Sequence, residues 1–185
     1  MFRSGLPASD AVLHVTSVTH GRSTRRRITI ADDKISASAT IAAAARDIFR
    51  VLADPASHAA IDGTGWVRSA ADNTLLTGPG QVFRMAMYHP DHPDKNYVTA
   101  NQIEVFEPPT ALSWRTGYDA EDGTLRFGGW SWRYDLTPDG PMTTTVTLTY
   151  DWSAASEATR ELIGFPPFPP EHLGNSLAHL ADLVG

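Results

Sequence analysis

The chain has 185 residues, 42% hydrophobic and 19% charged, which is the make-up of an ordinary globular protein long enough to bury one sizeable core. A net charge of −6 argues against a nucleic-acid backbone as the main partner, and the absence of cysteine excludes disulfides, thiolate metal sites and a cysteine nucleophile. No run approaches the roughly 20 apolar residues of a membrane helix, and the N-terminus lacks the apolar core of a signal peptide, so the plain reading is a cytoplasmic protein without a membrane span.

Residues 1–34 carry Arg3, Arg22, Arg25, Arg26, Arg27 and Lys34 against Asp10, Asp32 and Asp33, a charge of +3 that leaves −9 for the rest of the chain. With only the short apolar run from Ala11 to Val15, this stretch reads as a basic, flexible arm. No apolar segment follows Arg25-Arg26-Arg27, so the triplet does not make a twin-arginine export signal.

From Ile35 the pattern changes. Ile35, Ala37, Ala39 and Ile41 alternate with Ser36, Ser38 and Thr40, a first strand, and Ala45, Ile48, Phe49 and Leu52 then recur at the spacing of one buried helix face. That helix must stop near Asp54-Pro55, because proline disfavours helical geometry in the residue before it; Asp54 can cap a second, short helix with Pro55 in its first turn. Gly63 and Gly65 end this helix, and Trp66 to Ala70 is extended again.

Gly78-Pro79-Gly80 turns the chain into a strand at Gln81 to His89, with Phe83, Met85 and Met87 on one face and Arg84, Ala86 and Tyr88 on the other. Further strands are expected at about Tyr97 to Phe106 and Leu112 to Thr116. The clearest pattern runs from Gly128 to Trp152. Trp130, Trp132, Tyr134 and Leu136 alternate with Ser131, Arg133, Asp135 and Thr137; Val146, Leu148, Tyr150 and Trp152 alternate with Thr145, Thr147, Thr149 and Asp151. These are two arms of a hairpin about Pro138-Asp139-Gly140-Pro141, with one face apolar and aromatic and the other hydroxylated and charged, as in an antiparallel sheet that meets a core on one side. Ser156 to Leu162 offers one helical turn, and Phe165-Pro166-Pro167-Phe168-Pro169-Pro170 is too proline-rich for the interior of a helix or strand. Leu173, Leu177, Leu180 and Val184 mark a final helical face, expected to lie on the aromatic side of the sheet. The order is strand, two helices, six strands, helix.

This order, with the segments ISASATIAA, ARDIFRVLADPASHAAIDGTG, YVTANQIEVFEPPTALSWR, WSWRYDL and LGNSLAHLADLV, resembles the START-like superfamily, also called Bet v 1-like or SRPBCC, and within it the bacterial polyketide cyclase/dehydrase-like proteins. The resemblance covers about residues 35–185 and implies an α+β helix-grip fold: a curved antiparallel sheet of about seven strands around a C-terminal helix, with an apolar cavity between them. It implies a domain at 35–185 preceded by the arm at 1–34. The quoted segments carry fold and no catalytic signature. Two departures stand out: the terminal helix is short and contains Gly174, and the basic arm has no counterpart in the family.

By alternation alone, the inward set Phe83, Met85, Met87, Trp114, Trp130 and Trp132 reads either as a solid core or as the wall of a pocket for a flat, greasy ligand. The resemblance favours the pocket. Polar residues that could contact such a ligand are Tyr97, Thr99 and Asn101 on one strand face, with Asp62 and Trp66 in the loop after the second helix. Each also has a structural reading: Asn101 satisfying backbone groups, Asp62 shaping a turn, Trp66 packing. Arg84, Arg115 and Arg133 fall on the opposite face. His89 and His92 stand three apart, but Pro90 and Pro93 make their segment a loop, and no third ligand has metal-site spacing. No serine-nucleophile elbow, phosphate loop or zinc-protease motif occurs, so catalytic residues stay unassigned and neither metal nor cofactor is expected. The expected function is binding of a small hydrophobic or aromatic molecule, lipid or polyketide-like, by a monomer or homodimer. Cyclase/dehydratase activity is the alternative, and a protein-interaction module using the basic arm is the third possibility.

Overall fold

The computed structural model describes residues 11–19 and 22–185, with side chains from Arg27 onward. A single antiparallel sheet contains β1 (Ala11–Thr19), β2 (Arg22–Ala31), β3 (Lys34–Ile41), β4 (Val67–Ala70), β5 (Val82–Tyr88), β6 (Asn96–Glu107), β7 (Ala111–Asp119), β8 (Leu125–Gly140) and β9 (Thr143–Asp151). Their spatial order is β1-β2-β3-β9-β8-β7-β6-β5-β4. Between β3 and β4 come α1 (Ala45–Leu52), a 3-10 turn (Pro55–Ser57) and α2 (His58–Ile61); after β9 come α3 (Glu157–Ile163) and α4 (Glu171–Val184). This is the α+β helix-grip architecture, a curved antiparallel sheet closed over a C-terminal helix.

Cross-strand register puts the expected residues on one face. Met87 lies opposite Tyr97, Met85 opposite Thr99 and Phe83 opposite Asn101. Asn101 lies opposite Thr116 and Ile103 opposite Trp114, which in turn lies opposite Trp132. Trp132 faces Tyr150, and Tyr150 faces Ile35. On the other face hydroxyls pair across β3 and β9: Ser36 with Thr149 at 3.0 Å and Ser38 with Thr147 at 2.8 Å. Arg84 and Arg133 are on that side too, bonded to Asp119 and Asp135.

The helices cover the apolar face. Ile48, Phe49 and Leu52 of α1 and Leu173, Leu177 and Leu180 of α4 are all buried, and α4 packs against β3, β9, α1 and α2. Val184, the last residue of α4, is only half-buried. Asp54 caps the 3-10 turn as its sequence suggests, accepting a hydrogen bond from the Ala56 N–H at 3.0 Å. A bulge bends β8 where Thr116 pairs with Trp130 but Gly117 pairs with Phe127, leaving Gly128 and Gly129 unpaired. Gly129 is in the left-handed region (φ 88°), and a Cβ there would fall 2.4 Å from the Ala154 carbonyl oxygen. The bulge therefore needs glycine, and it aims Trp130 at the loop that precedes α4.

Two sequence expectations need correction. The sheet has nine strands, not about seven, because most of the described part of residues 1–34 joins it as β1 and β2. Ile28 lies opposite Ala37 and Ile30 opposite Ile35, and Ile28 is buried. This period-two signal is only two isoleucines long and follows three arginines, so it becomes persuasive only once β3 supplies a free edge to pair with. Residues 1–10, 20 and 21 of the expected arm lie outside the described residues. The hairpin turn also comes later than expected, since β8 extends through Gly140 and the turn is Pro141-Met142.

Candidate functional site

The inward residues fall into two groups. In the first, the space is filled: Phe83, Met85 and Trp114 are buried, and the His58 ring stacks on Trp114 at 5.4 Å and meets Phe83 edge-on at 5.4 Å. His58 Nε2 donates to the Leu52 carbonyl oxygen at 2.8 Å, and burial holds its pKa below the ordinary value. Here the solid-core reading describes the packing.

In the second group, Trp66, Met87, Tyr97, Trp130 and Trp132 face the same side yet stay only half-buried. Loops approach them. Phe165 packs on Trp130 at 5.8 Å and lies parallel to Trp152 at 5.9 Å; Phe168 stacks on Trp132 at 5.6 Å and comes within 6.5 Å of Trp66. The loop between β5 and β6 contributes its two histidines, His89 against Trp66 at 4.3 Å and His92 stacked on Tyr97 at 4.1 Å. Their Nδ1 atoms accept from the Asp91 and Asp94 N–H groups, so both histidines shape the loop and pad the aromatic wall.

Polar groups interrupt this wall in two places. Buried Thr116 donates to Asn101 Oδ1 at 2.8 Å, and Asn101 Nδ2 donates to Thr99 at 3.2 Å. Neighbouring side chains, rather than backbone groups, thus satisfy Asn101. The second place is Asp62, whose carboxylate accepts from the backbone N–H groups of Thr64, Trp66 and Val67 and from the Thr64 hydroxyl. The turn reading of Asp62 describes its bonds, and those bonds position Trp66. Burial, and second the Asp62 charge, push the Tyr97 and Tyr134 phenols up, so both keep their protons.

Sequence reasoning passed over the residues on α4 that hold this loop. His172, Ser176 and His179 stand at i, i+4 and i+7, a polar stripe beside the leucine stripe, and that spacing was the available signal. The Ser176 hydroxyl accepts from the Gly63 N–H at 3.1 Å, His179 Nδ1 donates to the Asp62 carbonyl at 3.2 Å, and His172 is buried with Nδ1 4.0 Å from Asp62 Oδ1. An open groove of about 340 Å³ adjoins the same loop between α2 and the end of α4, lined by Ala59, Ala60, Asp62, His179, Asp182 and Leu183.

Burial lowers the pKa of His172 as well as that of His58; the Asp62 charge works against this shift at His172 without cancelling it. Free histidine titrates near 6.5, so below about that pH the unfolded chain binds protons that the folded chain refuses. Stability should therefore fall as pH drops from 7.5 to 5.5. Urea unfolding at the two values measures this, and His58→Gln, which keeps an N–H for Leu52, should flatten the slope. Equal or greater stability at pH 5.5 would contradict the buried, neutral imidazoles.

Residues 32–178 match the family described as polyketide cyclase/dehydrase and lipid transport, and the chain belongs to that family. It is 26% identical over 154 residues to an uncharacterized Mycobacterium tuberculosis protein, Rv0088, an alignment covering 80% of this chain and 63% of that protein, so the chain spans less than two thirds of the curated relative it matches. Among solved structures, protein Ms6760 of Mycobacterium smegmatis superposes with a TM-score of 0.58 at 20% identity, covering 81% of this chain and 89% of that one. An aromatase/cyclase, Zhui of Streptomyces sp. R1128, superposes with a TM-score of 0.57 at 15% identity, covering 82% and 92%. At these identities the likeness is one of fold. No helix among the described residues is long and apolar enough to cross a membrane.

Proposed function

We propose that the protein binds a small hydrophobic molecule, aromatic or lipid-like, against the half-buried part of its inner sheet face. The observation that carries this reading is the division of the inward residues. Phe83, Met85 and Trp114 are closed over, whereas Trp66, Met87, Tyr97, Trp130 and Trp132 point to the same side and keep accessible surface. Large apolar side chains left accessible on a concave face, with a few polar groups among them, suit a ligand site. The family supports either a carrier or a cyclase. We favour binding as the primary role, because the polar groups among the aromatics are mostly engaged with one another or with the backbone.

A screen of fatty acids, sterols and polycyclic aromatics tests the proposal. A ligand on this face should quench tryptophan fluorescence, and at a concentration of 100 Kd it should stabilise the fold by about 2.7 kcal/mol. For a chain of this size that raises Tm by about 5–10 °C. Neither quenching nor a thermal shift from any of these classes would leave the aromatic face as a packing surface only.

A further inference from the structure

His172 sits in the first turn of α4 with its ring against Phe168 at 4.6 Å and edge-on to Trp132 at 5.7 Å. Its Nδ1 is buried and has no hydrogen-bond partner among the described residues; Asp62 Oδ1 lies 4.0 Å away, with the two side chains only 8% and 7% exposed. Asp62 is not free to turn, since its Oδ2 accepts from Trp66 N–H at 2.7 Å and Val67 N–H at 3.0 Å, while its Oδ1 accepts from Thr64. A fixed carboxylate at that distance favours the tautomer with the proton on Nδ1, because the other would aim a lone pair at an anion. Nε2, whose lone pair diverges from the Nδ1–H by the geometry of the ring, is then an acceptor. The imidazole thus has an anion behind it and aromatic rings beside it.

We propose that His172 accepts the hydrogen of an ionisable hydroxyl on the bound ligand, a phenol or an enol, and that Asp62 positions the imidazole and balances its charge. The proposal rests on the ligand reading given above. In the full transfer the O–H bond breaks, the proton moves to Nε2, and the electron pair stays on the ligand oxygen as a phenolate or enolate. The imidazolium so formed faces Asp62, and a shift of about 1 Å would turn the 4.0 Å approach into a hydrogen-bonded ion pair. The other titratable groups around the pair are His179 on α4 and the phenols of Tyr97 on β6 and Tyr134 on β8. His179 disfavours a charge on His172, and the phenols stay protonated, so Asp62 is the nearby anion that offsets it.

Two probes of the same ring system separate this proposal from the ligand reading: 2-naphthol, which has the hydroxyl, and 2-methoxynaphthalene, which does not. Calorimetry at pH 7.5 should show the wild type preferring 2-naphthol by about tenfold, the size of one hydrogen bond in a buried setting. The preference, read as the ratio of the two affinities, should vanish in His172→Phe, and in the wild type it should persist at pH 5.5, because burial keeps the imidazole neutral there. Asp62→Asn should lower the His172 pKa read from its ring nitrogens by NMR, an effect that a purely structural role for Asp62 would not produce. Equal binding of the two probes to the wild type, or a naphthol preference that survives in His172→Phe, would overturn the proposal and leave the ligand reading standing. Binding of neither probe would remove both.

Discussion

Phe168→Ala is expected to destabilise the protein by about 3–5 kcal/mol, lowering Tm by about 6–20 °C. The Phe168 ring is buried although it belongs to a loop, and it fills the meeting point of four other rings: His172 at 4.6 Å, Tyr150 at 5.0 Å, Trp132 at 5.6 Å and Trp66 at 6.5 Å. Pro166, Pro167, Pro169 and Pro170 fix the backbone on both sides, so the loop cannot collapse into the vacated space. What remains is a ring-sized, apolar hole, and toluene should occupy it and recover part of the lost Tm. Differential scanning calorimetry with and without toluene measures both effects. A loss below 1 kcal/mol would mean that the loop does not close over the aromatic wall in solution.

Gly63→Val is expected to cost about 1–3 kcal/mol and to loosen the first turns of α4. The reason is space. A Cβ at residue 63 would fall 2.5 Å from the His172 carbonyl oxygen and 2.9 Å from both Asn175 Cβ and His172 Nδ1. Backbone cannot give way as the end of a side chain can, so the helix must move, and the Ser176–Gly63 hydrogen bond at 3.1 Å is broken with it. Hydrogen exchange should show faster opening at residues 172–177 in the variant. A Tm within a degree of the wild type, with unchanged exchange, would contradict the close contact between this loop and α4.

Much of this architecture was legible because alternation and helical spacing each report a burial direction. Phe83, Met85, Trp114, Trp130, Trp132 and Tyr150 share a sheet face in register, as their period-two pattern requires. Leu173, Leu177 and Leu180 are buried as an i, i+4, i+7 stripe requires. The arm was illegible for the opposite reason: its strand character depends on pairing with β3, and the arginines beside Ile28 and Ile30 mask a pattern that is already short. The candidate site was only partly readable. Asp62 and Asn101 drew notice as polar residues near an aromatic wall, but periodicity does not say whether a polar group will be satisfied by its neighbours, and both largely are. His172 escaped because a histidine beside a leucine stripe looks like a solvated flank until the loop at Asp62 and Gly63 closes over it.

The methionines allow the most direct test of the central claim. Of the four in the chain, Met85 and Met87 lie on the inner face of β5, one buried and one half-buried, whereas Met142 is 60% exposed in the turn between β8 and β9. With methyl-labelled methionine and an apolar ligand that shifts Tm, the account predicts that the Met87 methyl moves most, with nuclear Overhauser contacts to the ligand, that Met85 moves less, and that Met142 does not move. A ligand that binds yet leaves Met85 and Met87 unshifted, or shifts Met142 alone, would contradict it.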